Sequence, residues 1–117
     1  MAISEMREPT FFILTALVDG RKHGYALISE TERLSAGRTV LRVGTLYAAL
    51  DRLEGEGLVE SDGDEVVDGR LRRYYRLTDD GIQTLDNEVA RLENNVSQAK
   101  ARLAARRSAG RLARGIA

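Results

Sequence analysis

The chain of 117 residues has no cysteine and no tryptophan, and only one histidine and one proline. Without cysteine there is no disulfide framework, no thiol nucleophile and no thiolate ligand, and a single histidine leaves a zinc site short of donors. Long apolar runs are missing as well. The longest, Phe11 to Val18, is interrupted by Thr15 and falls far below the roughly 20 residues that a membrane-spanning helix needs. Glu5 and Glu8 sit at the start of the chain, unlike the basic start of a secretory signal, so the expected location is the cytoplasm, with no membrane partner. No nucleophile stands beside a base, and there is neither a Walker-type glycine loop nor a metal-ligand spacing. The chain therefore reads as a non-enzyme without a cofactor.

What the sequence does have is segregated charge. Lysine plus arginine and aspartate plus glutamate balance at 18 each. From Asp51 to Asp68 there are eight acids and one base; from Gly69 to Leu77, four arginines and no acid; from Ser97 onward, six bases and no acid. A neutral chain with this distribution still offers a basic face to a polyanion.

Periodicity orders the chain into elements. Thr10 to Asp19 suits a first helix, with Pro9 in its first turn and Gly20 as its stop. A second helix is expected from His23-Gly24-Tyr25 to about Leu34, followed by a turn at Ser35 to Arg38. The third starts at Arg42 or Val43; Val43, Leu46, Leu50 and Leu53 form one stripe, and Gly55 and Gly57 end it. Leu58 to Ser61 reads as a short strand, and Asp62-Gly63-Asp64 and Asp68-Gly69 as turn signals. From Arg70 to Leu77 the pattern alternates. Leu71, Arg73, Tyr75 and Leu77 are expected inward; Arg70, Arg72, Tyr74 and Arg76 outward. Thr78 suits the N-cap of a last helix. Ile82, Leu85, Val89, Leu92, Val96, Ala99 and Leu103 then step by alternating threes and fours, a heptad seam longer than so small a domain can cover, and therefore a candidate dimerisation surface. The expected fold is mainly α with a small β-hairpin: a winged helix-turn-helix over 1–77, a long dimerisation helix over 78–106 and a basic tail over 107–117.

The third helix is the candidate reader of duplex DNA. Its apolar stripe turned inward leaves Arg42, Gly44, Thr45, Ala48 and Arg52 toward solvent. Gly44 lets a phosphate approach the helix N-terminus, Thr45 can meet a phosphate or a thymine methyl, and Tyr47 borders the stripe with its hydroxyl free to reach the backbone. Arg70 and Arg72 on the basic strand can lie on phosphates beside the groove, and Tyr25 can reach across it. Plainer readings stand beside these: any amphipathic helix has a polar face, and a charged edge strand guards against aggregation.

Taken together, Gly44-Thr45-Leu46-Tyr47, Leu50-x-x-Leu53-Glu54, Gly57-Leu58-Val59, Gly69-Arg70, Arg73-Tyr74-Tyr75-Arg76-Leu77-Thr78 with Gly81, and upstream His23-Gly24-Tyr25 resemble the PadR family of bacterial transcriptional regulators, in its short-tailed branch. The resemblance implies a winged-helix repressor, dimeric through its last helix and often released from its operator by a small, frequently aromatic or phenolic effector; two linked readers would then meet double-stranded DNA at a pseudo-palindromic operator. It also places Tyr25, Thr45, Tyr47, Arg70 and Arg73 at DNA-contacting or near-contacting positions. Val43 departs from the serine that often caps the family's recognition helix, and the lack of tryptophan removes the indole pair that stacks flat drugs in some members. A winged-helix protein-interaction module, using the acidic stretch, and a ligand sensor without operator binding are the alternatives.

Overall fold

The structure, a computed structural model, describes residues 6–115. Glu5 and the last two residues of the expected tail lie outside the described residues. The element order is α1 (Glu8–Ala16), β1 (Lys22–His23), α2 (Gly24–Leu34), α3 (Val43–Gly55), β2 (Val59–Val67), β3 (Arg70–Leu77) and α4 (Asp79–Gly115). The three strands form one antiparallel sheet in the order β1-β3-β2. The chain divides into two compact units, one ending at Leu85 and the other starting at Asp86. None of the described helices is long and apolar enough to cross a membrane.

Pro9 opens α1 where its missing N–H costs nothing, and Glu8 favours the positive end of the helix dipole. The helix closes at Ala16, earlier than the apolar run suggested, and Leu17 to Asp19 form a turn. Lys22 stitches that turn to β1, donating to the Ala16 carbonyl and the Asp19 carboxylate. His23 caps α2 through Nδ1, which accepts from the Ala26 amide at 3.4 Å. Between α2 and α3, Ala36 and Gly37 take positive φ (55° and 82°), and the Ser35 hydroxyl accepts from the Thr39 amide at 2.9 Å. The core gathers Ile13, Leu14, Leu17, Leu27, Leu46, Leu50, Leu53, Val59, Tyr75 and Leu85.

The hairpin differs from expectation at its acidic end. Asp62-Gly63-Asp64 is not a turn but a bulge within β2, where the register shifts between Ser61 and Asp64. The reversal comes at Asp68-Gly69, both at positive φ (51° and 75°), a two-residue hairpin loop of the kind that matches strand twist. The ribbon is therefore longer than expected and outruns the core. Leu71, expected inward, is 63% exposed, whereas Tyr75 further down the same face is fully buried. Val43 likewise falls outside the core stripe of α3, because it stands at the open end of the helix.

Thr78 caps α4, accepting from the Gly81 amide at 3.0 Å while its own hydroxyl donates to the Gly57 carbonyl at 2.6 Å. Gly81 packs so closely on Leu58 that a β-carbon would overlap the Leu58 carbonyl oxygen. Two expectations for α4 change. Leu85 is only 8% exposed and belongs to the core of its own chain, not to an open seam. The helix also runs through 107–115, where a separate tail was expected, and the first unit extends past residue 77 to Leu85.

Gly81→Ala should destabilise the protein by about 1–3 kcal/mol, the usual cost of overpacking. Gly110→Ala, where a β-carbon meets open space, should stabilise it by up to ~1 kcal/mol through helix propensity. Urea unfolding followed by circular dichroism reads both.

Candidate nucleic-acid interface

The start of α3 is open. Arg42, and not Val43 as expected, holds the N-cap position, in an extended conformation and with no side-chain capping bond, so the first-turn amides are free to meet an anion. Arg42, Val43, Gly44 and Thr45 are all exposed. Tyr47 is half-buried, and its hydroxyl packs on the first turn of α2, where a β-carbon at Gly24 would come within 2.5 Å of it. Gly24 is thus required for close approach of the two helices, and Tyr47 is a packing residue whose edge forms a cleft wall.

That cleft, of about 670 Å³, lies between the helix starts and the hairpin. On one side stand His23, Gly24, Tyr25 and Ile28 from α2 and its cap, with Val43 and Tyr47 from α3; on the other stand Val67, Asp68, Arg70, Leu71 and Arg72 from the hairpin tip. Of the eight residues expected at DNA, the cleft brings together Tyr25, Tyr47, Arg70 and Arg72; Arg42, Gly44 and Thr45 are exposed on the opening of α3 next to Val43. Arg73 is turned to the other face of β3. The Tyr75 hydroxyl and the Asp64 carboxylate, at 3.7 Å, hold its pKa above the ordinary guanidinium value.

Ion pairing sorts the cations. Arg76 pairs with Glu60 across the ribbon, and Arg52, expected toward solvent, donates to the Thr10 hydroxyl at 2.8 Å and to Glu56 at 3.3 Å. Among the described residues, Arg42, Arg70 and Arg72 form no ion pair. The outer face of the sheet is tied down separately. Arg21 stacks over the Tyr74 ring at 4.2 Å and donates to the Asp62 carbonyl at 2.8 Å, which holds the bulge. Tyr74 donates to Glu65 at 2.8 Å. No group of three or more potential metal ligands occurs among the described residues.

Sequence reasoning did not assign His23 its double role as α2 cap and edge-on neighbour of Tyr74 (5.4 Å between ring centres). A histidine directly before a helical run is the signal that was available, since its ring nitrogen can cap as an asparagine does.

The profile of the transcriptional regulator PadR-like family matches residues 13–87. The transcriptional regulator Rv3488 from Mycobacterium tuberculosis is 42% identical over 81 residues, spanning 69% of this chain and 72% of that protein. A PadR family transcriptional regulator from Eggerthella lenta superposes with a TM-score of 0.64 at 28% identity, over 80% of each chain. Bacillus subtilis PadR in complex with operator DNA superposes with a TM-score of 0.63 at 24% identity, over 71% of this chain and 47% of that one, a likeness of fold.

Burial and the nearby Arg72 charge lower the pKa of His23, against a smaller opposing effect of Glu65. Protonation at Nδ1 also destroys the α2 cap. The unfolded state then binds the proton more readily, so this contribution to stability is complete above pH ~6.5 and is lost as pH falls through the depressed folded value. His23→Asn keeps a capping acceptor and should flatten the stability profile below about pH 6.5, measured by urea melts at stepped pH.

Proposed function

Because the chain belongs to the PadR-like family of transcriptional regulators, we propose that it is a homodimeric repressor whose two copies hold successive half-sites of a pseudo-palindromic operator. It is a transcriptional regulator, and duplex DNA is its partner. The observation that carries the finer reading is the pairing, in one unit, of an uncapped, exposed α3 start with the unpaired cations Arg70 and Arg72 across the cleft.

In this reading α3 enters the major groove. Gly44 admits close approach of the backbone to a phosphate, Thr45 meets a base edge or a thymine methyl, and Arg42 and Tyr25 reach the flanking phosphates. Arg70 and Arg72 add salt-dependent affinity. Arg73, held by Asp64, contributes less, and Tyr47 acts by setting the angle between α2 and α3. The exposed seam of α4 joins two copies so that the readers sit about 34 Å apart, one turn of duplex. A small aromatic effector acting between the subunits, as the family resemblance implies, would lower operator affinity by favouring a pair whose readers no longer match both half-sites.

Gel shifts against genomic fragments at low salt should yield a selectively retained operator; equal retention of every fragment would contradict the proposal. Thr45→Ala should reduce the preference for operator over a scrambled duplex by about 1–3 kcal/mol. Arg70→Ala should weaken both duplexes alike and lower the salt slope by about one.

A further inference from the structure

We propose that the basic end of α4, from Lys100 to Arg114, is a second DNA contact that holds the phosphates of a duplex regardless of base sequence. The inference rests on duplex DNA being the partner, but not on how α3 reads it or on how copies pair. From Ser97 to Gly115 the helix carries Lys100, Arg102, Arg106, Arg107, Arg111 and Arg114 and no acid. All six are exposed, and none forms an ion pair among the described residues. Only Arg114 lies in the last turn, where the helix dipole accounts for a cation. The other five have no such explanation. They also carry a cost: Arg102 and Arg106, like Arg107 and Arg111, stand four residues apart, the spacing at which like charges repel along a helix. A polyanion relieves that repulsion.

The cations form a row. Lys100, Arg107, Arg111 and Arg114 fall within about 60° of the helix circumference and along about 21 Å of its axis. Past Leu103 the side that carried the apolar seam turns cationic, since its next steps of four, three and four reach Arg107, Gly110 and Arg114. There Arg106, Arg107 and Arg114 line one hollow over Gly110, together with Leu103 and Ala109, and a β-carbon at Gly110 would meet open space. An anion can therefore reach the helix surface between three arginines.

The surrounding residues select the duplex among polyanions. A single strand is held by aromatic rings that stack its bases, and no aromatic residue follows Tyr75. An anionic lipid surface needs a broad apolar face opposite the cations. Beyond Leu103 the described helix offers one large apolar residue, Leu112, among alanine, serine and glycine. A regular row of cations on a helix suits the regular phosphates of a duplex, which releases condensed counterions as they are neutralised.

The test compares the wild-type protein with one carrying Arg107→Gln, Arg111→Gln and Arg114→Gln together. Binding to a duplex selected by the protein, and to a scrambled duplex, is followed by fluorescence anisotropy across a salt series. The glutamine variant should bind both duplexes at least about tenfold more weakly near 0.1 M salt and lower the salt slope on each by about two to three. The ratio of selected to scrambled affinity should not change. Arg107→Lys, Arg111→Lys and Arg114→Lys together keep the charge and should restore the wild-type slope. Full duplex affinity in the glutamine variant would overturn the proposal. So would an equal loss in the lysine variant, a loss confined to the selected duplex, or a loss accompanied by altered sedimentation, which would put the three residues between subunits. Reduced binding to phosphatidylglycerol vesicles with duplex affinity intact would assign the row to a membrane and overturn it as well. A wild-type protein that prefers no duplex would contradict the operator reading alone, because the slope on the scrambled duplex still decides this one.

Discussion

Strand β3 is bonded along both edges, and the geometry of the reading unit depends on that sharing. Lys22 and His23, immediately before α2, pair with Tyr75 and Tyr74 on one side. Val59 to Val67, which follow α3, pair along the other. One strand therefore fixes the start of α2 and the exit of α3 against the same ribbon. Tyr75, wholly buried, anchors the strand in the core, and alternation then commits Arg70 and Arg72 to the opposite face, while the cleft at the hairpin tip is lined from both faces, by Arg70 and Arg72 and by Leu71. The position of the unpaired cations relative to α3 follows from backbone pairing and one buried tyrosine, without needing a dedicated contact.

Close approach at two glycines completes the frame. Gly24 lets Tyr47 bring α3 against α2, and Gly81 lets the first turn of α4 seat on Leu58. Within that frame, local pairing decides which charges remain available to a polyanion. Arg52, Arg73 and Arg76 are engaged by carboxylates or hydroxyls of the same unit, whereas Arg42, Arg70 and Arg72 form no ion pair among the described residues. The acidic stretch of β2 has a structural share in this, since Glu60 and Asp64 engage the arginines opposite them.

The helix starts, the Thr78 cap and the Asp68-Gly69 reversal were legible because each depends on neighbouring residues alone. So was the polar opening of α3, where Arg42, Gly44 and Thr45 precede the buried Leu46. Strand β1 was not legible: two residues carry no periodicity, and their strand character exists only through pairing with β3. Asp62-Gly63 has turn chemistry but serves a bulge, because Arg21 from outside the hairpin holds it there. Alternation fixed the parity of Leu71 and Tyr75 correctly, yet parity does not say whether anything covers a face, and the ribbon passes beyond the core before Leu71. For the same reason a heptad spacing could not distinguish Leu85, which its own chain buries, from Leu92, Val96 and Leu103, which it leaves exposed. Pattern reports which residues share a side; burial depends on what the rest of the chain brings there.

The central claim is that the α3 opening and the hairpin arginines of two linked copies grip one duplex together. Hydroxyl-radical footprinting on a duplex selected by the protein from a random-sequence library tests it most directly. The account predicts two equivalent protected patches on one face of the DNA, centred about 10–10.5 base pairs apart, with their mirror pattern on the other strand. A single protected patch, or uniform protection that follows no sequence, would contradict it.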